Sequence, residues 1–260
     1  MTGRKQQQAA FERNGFVVIP DIISASELQR VRKMSEGVLD GTIKPDRQPS
    51  LEDFHIQWEP RVKNDSTLSR RDMIRVVFHL AHTHSYFWEL ATRDAILDAV
   101  ENLIGPQIKL YSDQMFVKPA HHGTEVPYHH DSAYWPFADP GLVSCWLAID
   151  DSTIDNGCVC YVPGSHLEDI PHQHIDTDLP NRTGAVPGVI DPSREVPVQL
   201  EAGSACIHHS LTVHRSAANR SGRSRRGWAL IYYPAGMRFE KPRSAPYDPV
   251  LVRTRSRITT

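Results

Sequence analysis

Ile108-Lys109-Leu110-Tyr111-Ser112-Asp113-Gln114-Met115-Phe116-Val117-Lys118-Pro119 marks the point where the periodicity of this chain changes. Ahead of it, apolar residues recur at helical spacing. From Ile108 onward they fall into short runs broken by Gly, Pro and Asn, at about 107–118, 126–131, 142–150, 157–163, 197–200, 204–214 and 226–234. Several short extended runs punctuated in this way predict a β-sandwich or barrel. In the last run Trp228, Leu230 and Tyr232 share a face with Arg226, whereas Gly227 and Ala229 share the other with Arg225. Such a strand has a bulky side for a core and a small side that leaves room for a ligand.

Upstream, residues 5–14 predict a short polar helix closed by Gly15, followed by a brief strand from Phe16 to Ile19. Ser24-Ala25-Ser26-Glu27 has the form of a capping box, so a helix runs from there towards Gly41 with Leu28, Val31, Met34 and Val38 as its buried stripe. Residues 42–72 are polar, contain Pro45, Pro49 and Pro60, and read as a long surface loop that could serve as a lid. Helix returns over 85–104, with Leu97, Val100 and Leu103 on one face and Gly105-Pro106 as the stop. Residues 167–195, rich in Pro, Asp, His and Gly, read as an excursion over the barrel mouth. The expectation is one domain over 1–260: a helical third to residue 106, a β core over about 107–235, and a tail from 239 that wraps the surface or is mobile.

A formal charge of −2 over 260 residues gives no reason to expect nucleic acid or an anionic membrane as partner. No apolar stretch has the length of a membrane span, and Met1-Thr2-Gly3-Arg4-Lys5 leads into polar residues rather than a signal sequence. Cys145, Cys158, Cys160 and Cys206 sit within apolar runs without disulfide or zinc spacing, which predicts reduced thiols and a cytoplasmic protein. Monomer and homodimer are both compatible with this composition.

The chemistry centres on His129-His130-Asp131 and His214. In an extended segment side chains two apart point the same way, so His129 and Asp131 can grip one ion while His130 faces away. An imidazole from a distant strand, His214, completes two histidines and one carboxylate. That set covers one face of an octahedral ion and leaves the rest open, as in non-haem Fe(II) oxygenases. His121, His122, His130 and His208 are rival imidazoles, read here as supporting or solvent-facing; His208 would share the face of His214 if residues 204–214 formed one regular strand.

After that histidine comes Arg225, just ahead of the apolar run Gly227-Trp228-Ala229-Leu230-Ile231-Tyr232-Tyr233. Together with Lys118-Pro119, Trp146, Asn156-Gly157, Pro163-Gly164-Ser165-His166, Ala202-Gly203-Ser204 and His214-Arg215-Ser216, this order resembles the Fe(II)/2-oxoglutarate-dependent dioxygenases, most closely the phytanoyl-CoA dioxygenase-like branch. Phe11-Glu12-Arg13-Asn14-Gly15-Phe16-Val17-Val18-Ile19-Pro20 resembles the opening of the same family. The resemblance implies a mainly β fold with flanking helices, built on a double-stranded β-helix (jelly-roll, cupin-like) core. It implies Fe(II) at His129, Asp131 and His214, with 2-oxoglutarate and O₂ as co-substrates.

On the co-substrate side it implies that Arg225 clamps the far carboxylate of 2-oxoglutarate, since a guanidinium fork matches a carboxylate. Ser216 joins it, Lys118 and Trp146 lie in the same pocket, and Gln114 and Met115 are weaker candidates for its wall. Tyr134, Trp135 and Phe137 are placed to line the substrate side, and Arg75 is a candidate contact for an anionic group on the substrate.

The reaction implied is hydroxylation of a small-molecule metabolite with release of succinate and CO₂. Asp131 supports this outcome, because family halogenases carry a small residue in its place to admit halide. Desaturation, cyclisation or epimerisation could arise from the same site. Two other classes share some of these residues: a cupin-like metalloenzyme that does not use 2-oxoglutarate, and a non-catalytic binding domain that kept the fold.

Overall fold

The computed structural model describes residues 2–47, 54–135, 141–175, 183–237 and 250–254. The helices are α1 (Thr2–Asn14), α2 (Ala25–Asp40), α3 (Leu80–Thr83), α4 (Ser85–Ala91) and α5 (Asp94–Ile104). The first strands are β1 (Phe16–Ile19), β2 (Ile56–Trp58), β3 (Ile74–Phe78), β4 (Gln107–Lys118), β5 (Val126–His129), β6 (Val143–Ala148) and β7 (Val159–Tyr161). There follow β8 (His172–His174), β9 (Thr183–Ala185), β10 (Val196–Val198), β11 (Ala205–His209), β12 (His214–Ser216), β13 (Arg225–Pro234) and β14 (Val250–Thr254).

The strands form an eight-stranded sheet in the order β1-β11-β6-β13-β4-β3-β2, with β14 beside β4, and a four-stranded sheet in the order β10-β7-β12-β5. All of their pairings are antiparallel, and β8 and β9 make a separate two-stranded ribbon. The two larger sheets face one another across a cavity whose wall takes residues from both. This is the mainly β, helix-flanked jelly-roll architecture expected from the sequence.

The large sheet is two-sided. Trp228, Leu230 and Tyr232 of β13, with Met115, Cys145, Leu147 and Ile207 of neighbouring strands, bury against helix residues such as Val31, Val38, Phe87, Leu90, Ile96, Leu97 and Val100. Trp228 is fully buried, and its indole N–H donates to Asp113 at 2.9 Å, so this large ring enters the core without an unmet donor. On the opposite face Trp146, Ala148, Cys206 and Ala229 meet Tyr161, Val198 and Leu200 from the other side of the sandwich. The alternation read from Arg225–Tyr233 is therefore the one observed.

At α2 the Ser24 side chain accepts from Glu27 N–H, half of the expected capping box, while the Glu27 carboxylate accepts from Tyr86 Oη at 3.0 Å, and Gly41 closes the helix in the left-handed region at φ 76°. Elsewhere the structure differs from the sequence reading. The helix expected over 85–104 is two, α4 and α5, broken where Thr92 Oγ1 donates back to Trp88 O at 2.9 Å and Arg93 turns to pair with Glu27 at 2.7 Å. Segment 42–72 is not all loop, because Ile56–Trp58 pairs with β3. The strand expected over 204–214 is interrupted at Ser210–Val213 and becomes β11 and β12, which lie in different sheets. The tail contributes β14, where Arg253, 7% exposed, bonds Asp94, Asp98 and Glu101 of α5. No helix among the described residues is long and apolar enough to cross a membrane.

Gly227 does not leave space for a ligand as the sequence suggested. A Cβ placed there would lie 1.8 Å from the Trp146 ring, so the glycine makes room for the indole instead. Gly227→Val should destabilise the protein by about 1–3 kcal/mol through overpacking and displace Trp146. A lowered thermal midpoint with a changed near-ultraviolet circular dichroism spectrum is the expected result, and an unchanged pair of values would contradict this packing.

Candidate active site

His129 ends β5 and His214 begins β12, and the two are direct register partners. Asp131 opens a single 3-10 turn, Asp131–Ala133, so the extended segment stops sooner than expected, although His129 and Asp131 still converge. Ligand atoms of His129, Asp131 and His214 all lie within 4.8 Å of one another, and among the described residues this is the group able to hold a metal ion. Asp131 Oδ1 is 3.9 Å from His129 Nε2 and 3.8 Å from His214 Nε2.

Both histidines are oriented by the backbone. His129 Nδ1 lies 2.8 Å from Pro127 O and His214 Nδ1 2.9 Å from Thr212 O. A carbonyl only accepts, so each Nδ1 carries the proton and each Nε2 lone pair points at the shared space. Burial pushes the pKa of both imidazoles down, with Asp131 opposing, so both are neutral and ready to ligate near pH 7. Burial works against ionising Asp131, but the His208 hydrogen bond and the neighbouring imidazoles outweigh it and hold the carboxyl below its usual range. His130 faces away, as expected, and packs on His172 at a ring separation of 3.9 Å. His208 belongs to the opposite sheet from His214 and donates from Nε2 to Asp131 Oδ2 at 3.0 Å.

The triad opens onto a cavity of about 260 Å³. At its inner end Arg225 is 1% exposed, with its guanidinium 5.2 Å from the Trp146 ring centroid and Nη2 bonded to Gly157 O. Its Nε has no hydrogen-bond partner, and it forms no salt bridge among the described residues. Burial lowers its pKa to about 10, with Cys158 and Asp150 opposing. Arg226, on the helix side, is paired with Asp150 at 2.7 Å and with Glu36 at 3.5 Å. Arg225 thus carries a buried, anion-seeking charge where its neighbour has none to spare.

Ser216 and Trp146 line the same cavity, and so does Gln114, which is directly opposite Ala229 on β13. Met115 does not: it is fully buried on the helix side between Val77 and Trp228, because strand alternation turns it away from Gln114. Lys118 lines the cavity, yet its Nζ is held by Thr124 O at 2.6 Å and Ala217 O at 2.7 Å, tying together the loops after β4 and β12. Burial first, then Arg225 and Arg75, push its pKa well below the ordinary lysine value. Tyr134 and Trp135 stand in the cavity wall as expected; Tyr134 donates to Thr183 O at 2.5 Å, and Trp135 packs edge-on to Tyr111 at 5.9 Å. Phe137 lies outside the described residues.

Arg75 is on β3. Gln57 pairs with Val76 but Trp58 with Ile74, so Arg75 is the extra residue of a β-bulge, which turns it into the cavity. It is 4% exposed, 3.5 Å from the fully buried Glu59, and bonded to Thr124 Oγ1 and Glu125 O. Sequence reasoning did not find Glu59, Gln57, Phe78, Tyr161 or Ser144, although Ser144 shares a strand face with Trp146 and was recoverable by alternation.

Residues 11–227 match the sequence profile of the phytanoyl-CoA dioxygenase (PhyH) family. The chain belongs to that family. The bovine peroxisomal phytanoyl-CoA dioxygenase is 28% identical over 228 residues, covering 83% of this chain and 64% of the relative. Among solved structures, the non-heme alpha-ketoglutarate-dependent carbocyclase SnoK from nogalamycin biosynthesis gives a TM-score of 0.68 at 23% identity, over 90% of this chain and 85% of that one. EctD from S. alaskensis, solved with 2-oxoglutarate and 5-hydroxyectoine, gives 0.70 at 24% identity over 91% and 78%. Family membership together with the His–Asp–His triad makes this PhyH-family chain an iron- and 2-oxoglutarate-dependent oxygenase.

Several histidines of this enzyme are held neutral by burial: His84 and His172 lie below the ordinary value and His209 falls to about 4. In the unfolded chain they titrate near pH ~6.5. As pH falls through that value the unfolded state takes up protons that the folded state refuses, so stability falls with pH. His209 alone contributes a loss on the order of 1–2 kcal/mol by about pH 5. The urea midpoint of metal-free protein should drop between about pH 7.5 and 5, and a midpoint that rises over this window would contradict the burial.

Proposed function

We propose that this enzyme hydroxylates an unactivated C–H bond of a small-molecule metabolite, consuming 2-oxoglutarate and O₂ and releasing succinate and CO₂. The observation that carries the reading is Arg225, a buried guanidinium with no salt-bridge partner among the described residues, at the inner end of a cavity that also holds the two-histidine, one-carboxylate triad. An isolated buried cation is costly, and a dianion entering beside it relieves that cost.

In this reading His129, Asp131 and His214 hold Fe(II), with a single negative protein ligand that leaves charge for an anionic co-substrate. Bound iron would supply O₂ activation coupled to decarboxylation of 2-oxoglutarate. Arg225 pairs with the far carboxylate, Ser216 adds a hydroxyl from β12 in the facing sheet, and the Trp146 indole backs both. Gln114 forms a side wall. Lys118 acts through the two carbonyls it ties rather than by touching the co-substrate. Tyr134 and Trp135 shape the substrate side near His129, where Tyr134 already stands at a ring separation of 5.6 Å. Arg75, fixed by Glu59 and Thr124, presents positive charge to whatever enters.

The helices on the back of the large sheet share its core, which supports reading the chain as one catalytic domain. Four buried free cysteines support a reducing, cytoplasmic setting. Desaturation, cyclisation and epimerisation are separated from hydroxylation by whether the product gains an oxygen atom, loses two hydrogens or keeps its mass.

Losing one partner of a buried charge pair costs about 3–5 kcal/mol, and about 1.4 kcal/mol is tenfold. Arg225→Ala should therefore weaken 2-oxoglutarate binding at least a hundredfold, roughly, by calorimetry on the metal-loaded protein. Arg226→Ala should leave that affinity within a few-fold while lowering thermal stability. Asp131→Ala should abolish substrate-dependent succinate release. The reverse ranking of the two arginines, or full succinate release without Asp131, would overturn the assignment.

A further inference from the structure

A metal-ligating carboxylate can bind through one oxygen or through both. Asp131 has that choice removed. Its Oδ2 accepts from Ser144 Oγ at 2.6 Å and from His208 Nε2 at 3.0 Å, while Oδ1 alone faces the Nε2 atoms of His129 and His214 at 3.9 and 3.8 Å. His208 is itself fixed: its Nδ1 lies 3.0 Å from the Tyr161 hydroxyl. The carboxylate can only accept, so His208 Nε2 carries a proton, and the Tyr161 hydroxyl holds the ring from the Nδ1 side. The three supporting groups are buried, with Tyr161 at 0%, Ser144 at 1% and His208 at 3% exposure, and they come from β7, β6 and β11 of both facing sheets.

We propose that Tyr161, His208 and Ser144 are positioning residues that confine Asp131 to one-oxygen coordination and thereby set how many positions at the metal stay open. The proposal rests on the metal assignment above. An octahedral ion held by three protein atoms keeps three positions for a chelating co-substrate and for oxygen. A second oxygen from Asp131 would occupy one of them. Each support enters from a different strand, so no single local movement frees Oδ2.

Co(II) serves as the probe, added to the metal-free full chain and followed by calorimetry and by its visible absorption, which reports coordination number. Partners that orient metal ligands typically matter by 10–100-fold in affinity, so His208→Leu should bind Co(II) about 10–100-fold more weakly, with altered band intensity. His208→Gln, whose carboxamide N–H reaches the place of Nε2, should return affinity and spectrum close to the parent. Tyr161→Phe should produce a smaller loss, because the donor to Asp131 remains while its orientation loosens. Should the leucine variant fail to fold, Ser144→Ala removes the other donor to the same oxygen and carries the same expectation. Parent-like affinity and spectrum in His208→Leu, or in Ser144→Ala if that variant stands in for it, would overturn the proposal, as would a glutamine variant no better than the leucine one. Absence of Co(II) binding by the unaltered chain would instead sink the metal assignment itself.

Discussion

Strand alternation through β6, β13 and β4 is the constraint on which the rest of this molecule depends. A pleated strand sends successive side chains to opposite faces, so one sheet can bury tryptophan, leucine and tyrosine against helices and still line a polar cavity with the residues in between. Trp228 and Leu230 lie on one side of β13, Arg225, Gly227 and Ala229 on the other. A slip of one residue would send Trp228, Leu230 and Tyr232 into the cavity and turn Gly227 and Ala229 towards the helix core, filling the one and emptying the other.

Around that sheet the buried charges are arranged by partner. Arg226 on the helix side meets Asp150, and Arg75 in the cavity meets Glu59. Arg253 meets three carboxylates on one helix. The pairs of Arg226 and Arg253 hold elements together and have little left to offer a ligand. Arg225 differs in forming no salt bridge among the described residues, with Gly157 O and the Trp146 ring beside its guanidinium, and this contrast, more than its position in the sequence, carries the proposal that it receives an anionic co-substrate.

Much of this was legible in the sequence where one physical rule acted alone. The Ser24 cap, the Gly41 stop and the faces of β13 follow from local chemistry, and the His129–Asp131 spacing with the distant His214 describes the metal face. Reading failed where tertiary packing decided. Met115, read with Gln114 as a candidate for the pocket wall, is committed by alternation to the helix side. The β3 strand hides in a segment dominated by charge, and its bulge, which aims Arg75 inward, has no sequence signature. Gly227 reads as empty space until Trp146 is placed over it. Ser144 and Tyr161 matter through hydrogen bonds between sheets that are distant along the chain.

The metal histidines owe their tautomer to the carbonyl two residues before each of them, Pro127 and Thr212, and so to the course of the main chain itself. Three donors already aimed at one point need little rearrangement to receive an ion, and a site that does not reshape cannot reject an ion by refusing to close. Selectivity is then left to donor type, and for nitrogen and oxygen donors divalent affinities rise from manganese through iron and nickel to copper. Iron is among the weaker binders in that series. Which ion occupies this enzyme in a cell is therefore decided by the supply of metals around it during folding, and overexpression in a medium rich in nickel, zinc or copper would yield a well-folded protein carrying the wrong one.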